Sequence, residues 1–475
     1  MSSITDAAHV TPTPLQRAWQ EMELIAFVHF TVNAFTDKEW GDGTEDPVLF
    51  NPTDCNPHQW VQTLKNAGFK MLILTAKHHD GFCLWPSRHT DHSVAASPYK
   101  DGQGDVVRET AQACADHGLD FGIYLSPWDR HDPRYGTDEY NDFYCNQLQE
   151  LLTDYGPIRE LWLDGAKPSD AQSMRYDWAR IYKRARELQP EIVIKMGGDR
   201  DPQPVFTDED VQPPDIRWIG NEDGLGRDTE WCVYPVDGPL LGMDLRRKVI
   251  GTRSQVREAD WLHWWPSEAD VSIRPGWFYH ASEDEQVKSV PHLMEIYYRS
   301  VGSNATLLLN IPPDQRGLFH ENDVARLGDW RSVLDGTFDE DLAAGGVAAA
   351  SSENEEHPAG ALTDGDPTSW WQASEKDTSA EISVDLGGEK TFDRLLLQEE
   401  LSVGQRIEAF TLEATRNGNW GEVASGTTVG HKRILRFSST TADRVRLTVE
   451  QSRLEPTLRC LELYKSSRRD VPCDR

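Results

Sequence analysis

The chain has 475 residues, long for one domain and sufficient for two, since domains usually run to ~100–200 residues and barrels to ~250. Its formal net charge is −31, from 79 acidic and 48 basic residues, which argues against nucleic acid and anionic membranes as partners. No apolar run approaches the ~18 residues that cross a bilayer, and the first residues lack the pattern of a signal peptide. We therefore expect a soluble, cytoplasmic protein.

Residues 24–335 repeat one unit, a short apolar run followed by a polar turn and a helical pattern. The apolar runs read LIAFVHF, FKMLILTAKHH, LDFGIYLSPW, RELWLDG, EIVIKMGG, IRWIGNE, DVSIRPGW and ATLLLNIPP. About eight strands alternating with helices predict a closed (β/α)8 barrel of the TIM type, which we assign to residues 1–338. An open doubly wound sheet is the competitor, but the glycine-rich phosphate turn that would follow its first strand is absent.

The pattern changes after about residue 336. Short alternating runs, such as AEISVDLG, AFTLEAT and DRVRLTVEQ, are separated by turn residues. This pattern predicts an all-β sandwich, which we assign to residues 339–475.

Lysine and cysteine usage bears on the environment of the protein. Only 14 of the 48 basic residues are lysine, and an acid-rich, lysine-poor composition is typical of proteins from salt-loving archaea. We expect a halophilic protein, with an ordinary acidic bacterial enzyme as the alternative. The seven cysteines are far apart and form no C-x-x-C pair, so we expect reduced thiols rather than disulfides or a zinc ribbon.

Polar and aromatic residues close most of the predicted strands. In a parallel barrel the carboxyl ends of the strands meet on one face, where the catalytic groups of such barrels lie. The candidates in these positions are His29, His78, His79, Tyr124, Trp128, Asp164, Glu222, Arg274 and Trp277.

Two carboxylates among these candidates point to glycoside hydrolysis. Asp164 taken alone could cap a helix or form an Asp-Gly turn. Glu222, however, ends another strand in the same manner. Two carboxyl groups on one rim, surrounded by aromatic and histidine side chains, are the groups that a glycosidase needs as nucleophile and acid/base.

The adjacent histidines, His78 and His79, allow three interpretations: binding of sugar hydroxyls, a metal site, or a structural role for one ring. Neighbours on a strand point to opposite faces, which disfavours a shared metal ion, and the H-E-x-x-H helix motif is absent. Among the 17 tryptophans, most belong to the core. Trp40, Trp128 and Trp277 are the better candidates for sugar platforms because glycine, proline or charged residues surround them.

Several stretches together resemble the α-L-fucosidases, family 29 of the glycoside hydrolases. They are FVHF with His29, KEW with Glu39 and Trp40, LTAKHHDGFCLW with His78 and His79, GIYLSPWD with Tyr124, and LWLDGA with Asp164. The resemblance spans most of residues 15–335. It implies that Asp164 is the nucleophile and that His29, His78 and His79 line a fucose pocket.

The acid/base varies in position across that family. The stretch IRWIGNEDG is similar to the branch that acts on α-1,3 and α-1,4 fucosyl linkages, which implies Glu222 as the acid/base. Glu209, in an extra acidic loop before this motif, is a rival, and Glu268 in WWPSEAD is a weaker one. The stretch SIRPGWFYH is also similar to that branch and implies Arg274 and Trp277 at the rim.

The C-terminal region resembles the discoidin-like, coagulation-factor type-C sandwich through ALTDGDPTSWWQ and AEISVDLG. Such domains often bind sugars or a structural calcium ion. Asp364 and Asp366 could supply oxygen ligands for calcium, although a plain Asp-Gly turn explains them equally well.

Together these observations predict a retaining exo-α-L-fucosidase that needs no cofactor and acts on a fucosylated oligosaccharide or glycoconjugate. In a retaining enzyme the two carboxyl groups lie ~5–5.5 Å apart, against ~6.5–9.5 Å for an inverting one. Two alternatives stay open: a fucose-binding protein without catalysis, and a metal-dependent barrel hydrolase. The oligomeric state stays open as well.

Overall fold

The computed structural model describes residues 3–167, 174–197, 212–236, 249–259, 261–416 and 418–470. The helices in these ranges are α1 Ile4–His9, α2 Pro14–Gln20, α3 Asn33–Thr36, α4 Pro57–Ala67, α5 Val106–His117, α6 Glu139–Asp154, α7 Trp178–Leu188, α8 Arg253–Glu258, α9 Val290–Arg299 and α10 Glu321–Phe338. The strands before residue 340 are β1 Leu24–Val28, β2 Met71–Lys77, β3 Asp120–Leu125, β4 Glu160–Trp162, β5 Val193–Lys195, β6 Arg217–Trp218, β7 Val233–Val236, β8 Trp261–Trp264, β9 Ser267–Ser272 and β10 Ala305–Asn310. The later strands are β11 Val347–Ala350, β12 Trp371–Gln372, β13 Ala380–Gln398, β14 Ile407–Arg416, β15 Asn419–Gly426, β16 Arg433–Ser452, β17 Thr457–Leu458 and β18 Cys460–Tyr464.

The N-terminal region of the chain, up to α10, forms the predicted barrel. Eight parallel strands lie in the order β5-β4-β3-β2-β1-β10-β9-β6. An isolated parallel bridge between Lys195 and Ile216 joins the two ends of this sheet and closes it. Every residue of β1 and β2 is buried, because helices cover the outside and side chains fill the inside.

Local sequence explains where the barrel helices begin and end. The Asn56 side chain caps α4, which starts on a proline and ends at Gly68 with a φ of 94°. The Asp105 side chain caps α5, which ends at Gly118 with a φ of 68°. A side-chain acceptor at the start and a left-handed glycine at the end are the usual helix boundaries.

The C-terminal region of the chain, from β11 onward, is a β-sandwich with its own core. Its main sheet has six strands, β11-β13-β16-β14-β15 with β18 paired to β13, and β12 pairs with β17 in a second sheet. Leu395, Phe410, Val445 and Trp371 are among its fully buried side chains. The all-β architecture predicted for this region is confirmed.

One barrel strand differs from its predicted extent. The apolar run DVSIRPGW predicted a strand from Asp270 onward, but β9 begins at Ser267 and includes Glu268. Polar side chains in a buried strand break the apolar pattern that marks such strands in a sequence. Within the described residues, no helix is long and apolar enough to span a membrane.

Candidate active site

A cavity of about 470 Å³ lies at the carboxyl ends of the barrel strands. The predicted site residues that line it are His29, Glu39, Trp40, His78, His79, Tyr124, Asp164, Glu222 and Trp277. Seven of the nine strand-end candidates therefore converge on one cavity.

Asp164 lies two residues beyond β4 and is held by two hydrogen bonds. The Tyr124 hydroxyl donates to Oδ2 at 2.9 Å, and the Ala166 backbone N–H donates to Oδ1 at 2.7 Å. Burial favours the neutral acid, but the nearby His79 ring, the positive charge of Lys195 and these two hydrogen bonds outweigh it. They hold the pKa of Asp164 below its usual value. Asp164 is therefore ionised at neutral pH, and its side chain keeps 22% of its surface exposed.

Glu222 follows β6 and has the opposite electrostatic environment. Burial raises its pKa, and the nearby negative charge of Asp164 adds to this. The Trp277 indole N–H donates to its Oε2 at 3.4 Å and opposes the shift. The two candidate catalytic carboxyl groups thus have pKa values shifted in opposite directions.

Three neutral imidazoles line the cavity. Burial lowers the pKa of His29 to about 3, lowers that of His79 and holds that of His78 well below its usual value. Nδ1 of His29 lies 2.8 Å from the Asn310 side-chain oxygen, so it carries the proton and leaves Nε2 as an acceptor. Nδ1 of His79 lies 2.7 Å from the hydroxyl of Ser126, which itself donates to a backbone carbonyl, so His79 has the same tautomer. Such rings can accept hydrogen bonds from ligand hydroxyl groups.

Glu39 ties two loops together at the edge of the cavity. Its carboxylate accepts the backbone N–H groups of Trp277 and Phe278 at 2.9 and 3.0 Å. His280 bridges Glu39 at 2.8 Å and Asp37 at 2.6 Å. Partial burial works against ionisation of His280, but these two carboxylates outweigh it and raise its pKa.

The two predicted tryptophan platforms near His79 differ in position. Trp40 lines the cavity and is 54% exposed. Trp128 is only 7% exposed and does not line the cavity. Its ring packs 4.8 Å from that of His79 and 5.6 Å from that of Trp40. Trp128 therefore supports two cavity residues from behind, contrary to the expectation of a platform.

Arg274 is also not where the sequence predicted it. It is fully buried, with Nε 2.9 Å from Asp323 and Nη1 2.9 Å from Asp284, and it does not line the cavity. A buried guanidinium needs such carboxylate partners, and they draw it away from the rim. Its role is the fixing of the loop after β9.

Of the two alternative candidates for the acid/base, the structure describes only Glu268. Glu209 lies outside the described residues. Glu268 lies inside β9 behind Trp162, whose indole N–H donates to it at 2.6 Å, and it does not line the cavity. Burial raises the pKa of Glu268 to about 7. Its position is therefore that of a support for Trp162.

The cavity wall also contains residues that the sequence did not single out. They are Phe27, Trp162, Gly165, Ala166, Lys167, Lys195, Met196, Trp218 and Asp270. Lys195 lies with Nζ 3.7 Å from the centre of the Trp162 ring and donates to the Leu163 carbonyl at 3.1 Å. Asp270 accepts the Trp218 indole N–H at 2.7 Å, and burial raises its pKa well above the usual value. For Lys195 the sequence signal was its place at the end of the apolar run EIVIKMGG, whereas Asp270 lies inside β9.

The predicted calcium ligands are engaged in a turn. Asp364 accepts the Ser369 hydroxyl at 2.9 Å, and Asp366 accepts the N–H and hydroxyl of Thr368 at 2.8 and 2.7 Å. Across the described ranges, no group of three or more His, Cys, Asp or Glu side chains could hold a metal ion. The calcium site stays a prediction.

Comparisons with known proteins agree with this geometry. The family model for alpha-L-fucosidase matches residues 8–221 and 250–334, and the F5/8 type C domain model matches residues 347–462. Alpha-L-fucosidase 1 of Arabidopsis thaliana is 41% identical over 95% of this chain and 87% of its own. A Ruminococcus gnavus GH29 fucosidase solved in complex with fucose is 33% identical, with a TM-score of 0.87 over 98% of this chain and 96% of its own. A glycoside hydrolase 29 family member from an unknown rumen bacterium is 38% identical, with a TM-score of 0.81 over 98% of this chain and 79% of its own.

Proposed function

The chain belongs to the alpha-L-fucosidase family of glycoside hydrolases, and we propose that it releases terminal α-linked L-fucose by a retaining double displacement. Asp164 attacks the anomeric carbon while Glu222 protonates the glycosidic oxygen, so that the leaving sugar departs as an alcohol. Glu222 then takes a proton from water, which attacks the fucosyl–Asp164 ester and frees fucose.

One observation carries this assignment: the environments of the two carboxyl groups shift their pKa values in opposite directions. Asp164 is held below its usual value and Glu222 is raised above its own. A nucleophile has to be ionised and an acid has to carry its proton at the same pH, and such divergence identifies acid and base partners.

The rest of the cavity supports recognition of a sugar. Neutral His29 and His79 offer Nε2 acceptors to hydroxyl groups. Phe27, Trp162 and Trp277 supply aromatic surface, which packs against apolar sugar faces and the methyl group of fucose. Relatives with fucose bound share this fold.

We propose α-1,3 and α-1,4 fucosyl linkages on branched glycans as the substrate class. The support is the G-N-E stretch that ends at Glu222, which resembles the branch with that specificity. We propose no cofactor, because two carboxyl groups and water complete the chemistry.

The test is fucose release from α-1,2, α-1,3, α-1,4 and α-1,6 fucosyl oligosaccharides at molar salt, for the native chain, Asp164→Gly and Glu222→Ala. We expect release from the 1,3 and 1,4 linkages alone, lost in both variants. Proton NMR of the first-formed product should show α-fucose, since retention keeps the anomeric configuration. Initial β-fucose would overturn the double displacement, and loss of activity on chelation with EDTA would favour the metal-dependent alternative.

A further inference from the structure

The segment that carries Glu222 lies between the barrel and the sandwich. This segment, residues 219–232 and called the acid loop below, follows β6 and reaches the sandwich near its end. Besides Thr427, which bonds Asp228 and Thr229, two sandwich residues meet it there, Gln405 before β14 and Thr428 after β15. We propose that this pair, the sandwich clamp, positions Glu222 for proton transfer. The proposal rests on the role of Glu222 proposed above.

The clamp binds the backbone of the acid loop through three hydrogen bonds. The Gln405 side chain donates to the Glu230 carbonyl at 2.9 Å and accepts the Cys232 N–H at 2.8 Å. The Thr428 hydroxyl accepts the Glu230 N–H at 2.9 Å. The N–H of Glu230 is thus fixed by the sandwich, and its carbonyl is held jointly by Gln405 and by the barrel residue Asn304, whose side chain donates to it at 3.1 Å.

The clamp residues are themselves rigidly placed. Gln405 and Thr428 are 0% and 1% exposed. Between their two segments lies the buried carboxyl group of Glu399, which accepts the N–H groups of Arg406 and Gly430, each at 2.7 Å. Because one side chain joins both segments, the clamp holds a fixed geometry within the sandwich.

A buried ion cluster links the backbone that the clamp holds to the stretch that contains Glu222. The Glu230 carboxylate pairs with Arg217 in β6 and with Arg227 at 3.0 Å. Arg227 in turn donates to the Ile219 carbonyl at 2.7 Å. Arg217 and Ile219 precede Glu222 in the sequence, and Arg227 follows it. The position of Glu230 therefore fixes the backbone on both sides of Glu222.

Asp164 provides an internal comparison, because its partners belong to the barrel. Tyr124 and Ala166 hold its carboxylate, and neither is bonded to the clamp. Loss of the clamp should therefore impair protonation of the leaving group and spare nucleophilic attack.

The experiment compares the native chain with two variants of the whole chain, Thr428→Val and Gln405→Met. Each substitution removes the hydrogen bonds of one clamp residue and keeps the volume of its side chain. Values of kcat/KM are measured on a fucosyl oligosaccharide and on 2,4-dinitrophenyl α-L-fucoside. The sugar alcohol needs protonation to leave, whereas dinitrophenolate does not. We expect kcat/KM on the oligosaccharide to fall by about 10- to 100-fold, since a displaced acid loses much of its contribution, and kcat/KM on the aryl fucoside to change by less than about threefold.

Two further variants separate positioning from general destabilisation. Thr428→Ser keeps the hydroxyl and should restore the native ratio of the two kcat/KM values. Arg436→Gln removes a 2.6 Å ion pair between the sandwich and Glu295 in α9, which leaves the clamp untouched, and should leave that ratio unchanged. Melting temperatures of all variants identify any that fail to fold.

The outcomes are distinct. Equal losses on both substrates, or no loss on either, in variants that fold would overturn the clamp. Glu222→Ala should reproduce the leaving-group dependence more strongly. If Glu222→Ala shows no such dependence, or if the native chain releases no fucose, the proposed function fails first and the clamp proposal fails with it.

Discussion

Replacing Glu230 by glutamine should destabilise the protein by about 3–5 kcal/mol, the cost of removing one partner from a buried ion pair. The Glu230 side chain is 1% exposed, and its two guanidinium partners, Arg217 and Arg227, are 0% and 8% exposed. An uncharged amide removes the carboxylate that faces both cations in the interior. At about 2 °C per kcal/mol for a large domain, the melting temperature should fall by about 6–10 °C.

Differential scanning fluorimetry at pH 7 and fixed salt measures this shift. Asp142→Asn is the matched control, because it removes a 2.6 Å ion pair with Arg180 in which both side chains are largely exposed. Exposed pairs contribute less than about 1 kcal/mol, so the control should melt within about 2 °C of the native chain. A Glu230→Gln variant that melts as close to the native chain as this control would refute the reasoning.

The difference in melting temperature between the native chain and Glu230→Gln should change with pH in a definite direction. Burial works against the ionised form of Glu230, but Arg217 and Arg227 outweigh it and hold its pKa below the usual value. A carboxyl group with a lowered pKa in the folded state stabilises the protein above its unfolded-state pKa of ~4.3, and this contribution disappears as pH falls through the folded-state value. The gap in melting temperature should be constant from pH 6 to 8 and shrink below about pH 4.

Three further predictions concern the cavity and the surface. Lys195→Met removes a charge that lowers the pKa of Asp164, so the acid limb of the kcat/KM profile should move to higher pH; an unmoved limb would contradict the assigned role of Lys195. For the oligosaccharide, the alkaline limb should report the raised pKa of Glu222, and it should be absent with dinitrophenyl fucoside. Identical limbs for the two substrates would contradict Glu222 as the acid. Finally, the melting temperature should rise between ~0.1 and ~1 M KCl, where the screening length falls from ~10 to ~3 Å, because the net charge is −31; a flat response would count against halophilic adaptation.

The barrel was predictable because its strands repeat one pattern, and the repeat alone sets the face on which the site forms. Asp164 and Glu222 share that face because each follows a strand end. Arg274 follows a strand in the same way, but its orientation depends on Asp323 in α10, which lies 49 residues further along the chain. Nothing in the local sequence indicates that pairing.

The carboxyl groups buried inside β9 have partners on other strands. Glu268 and Asp270 are carboxyl groups inside β9, and they are tolerated there because indole N–H groups meet them. The donors, Trp162 and Trp218, lie 106 and 52 residues away in sequence. Polar groups of this kind make a buried strand look like a loop when only its own residues are read, which is why the predicted start of β9, at Asp270, was too late.

The surroundings of the cavity also explain why the pKa is lowered for Asp164 and not for the neighbouring carboxyl groups. The charge of Lys195 and the hydrogen bonds from Tyr124 and Ala166 favour the ionised form of Asp164, and the negative charge of Asp164 in turn raises the pKa of Glu222. Burial also raises the pKa of Asp270, and the neighbouring Glu222 carboxyl group adds to this. Of these three carboxyl groups, Asp164 is thus the one whose surroundings lower the pKa, as the nucleophile of a pair with a proton donor requires.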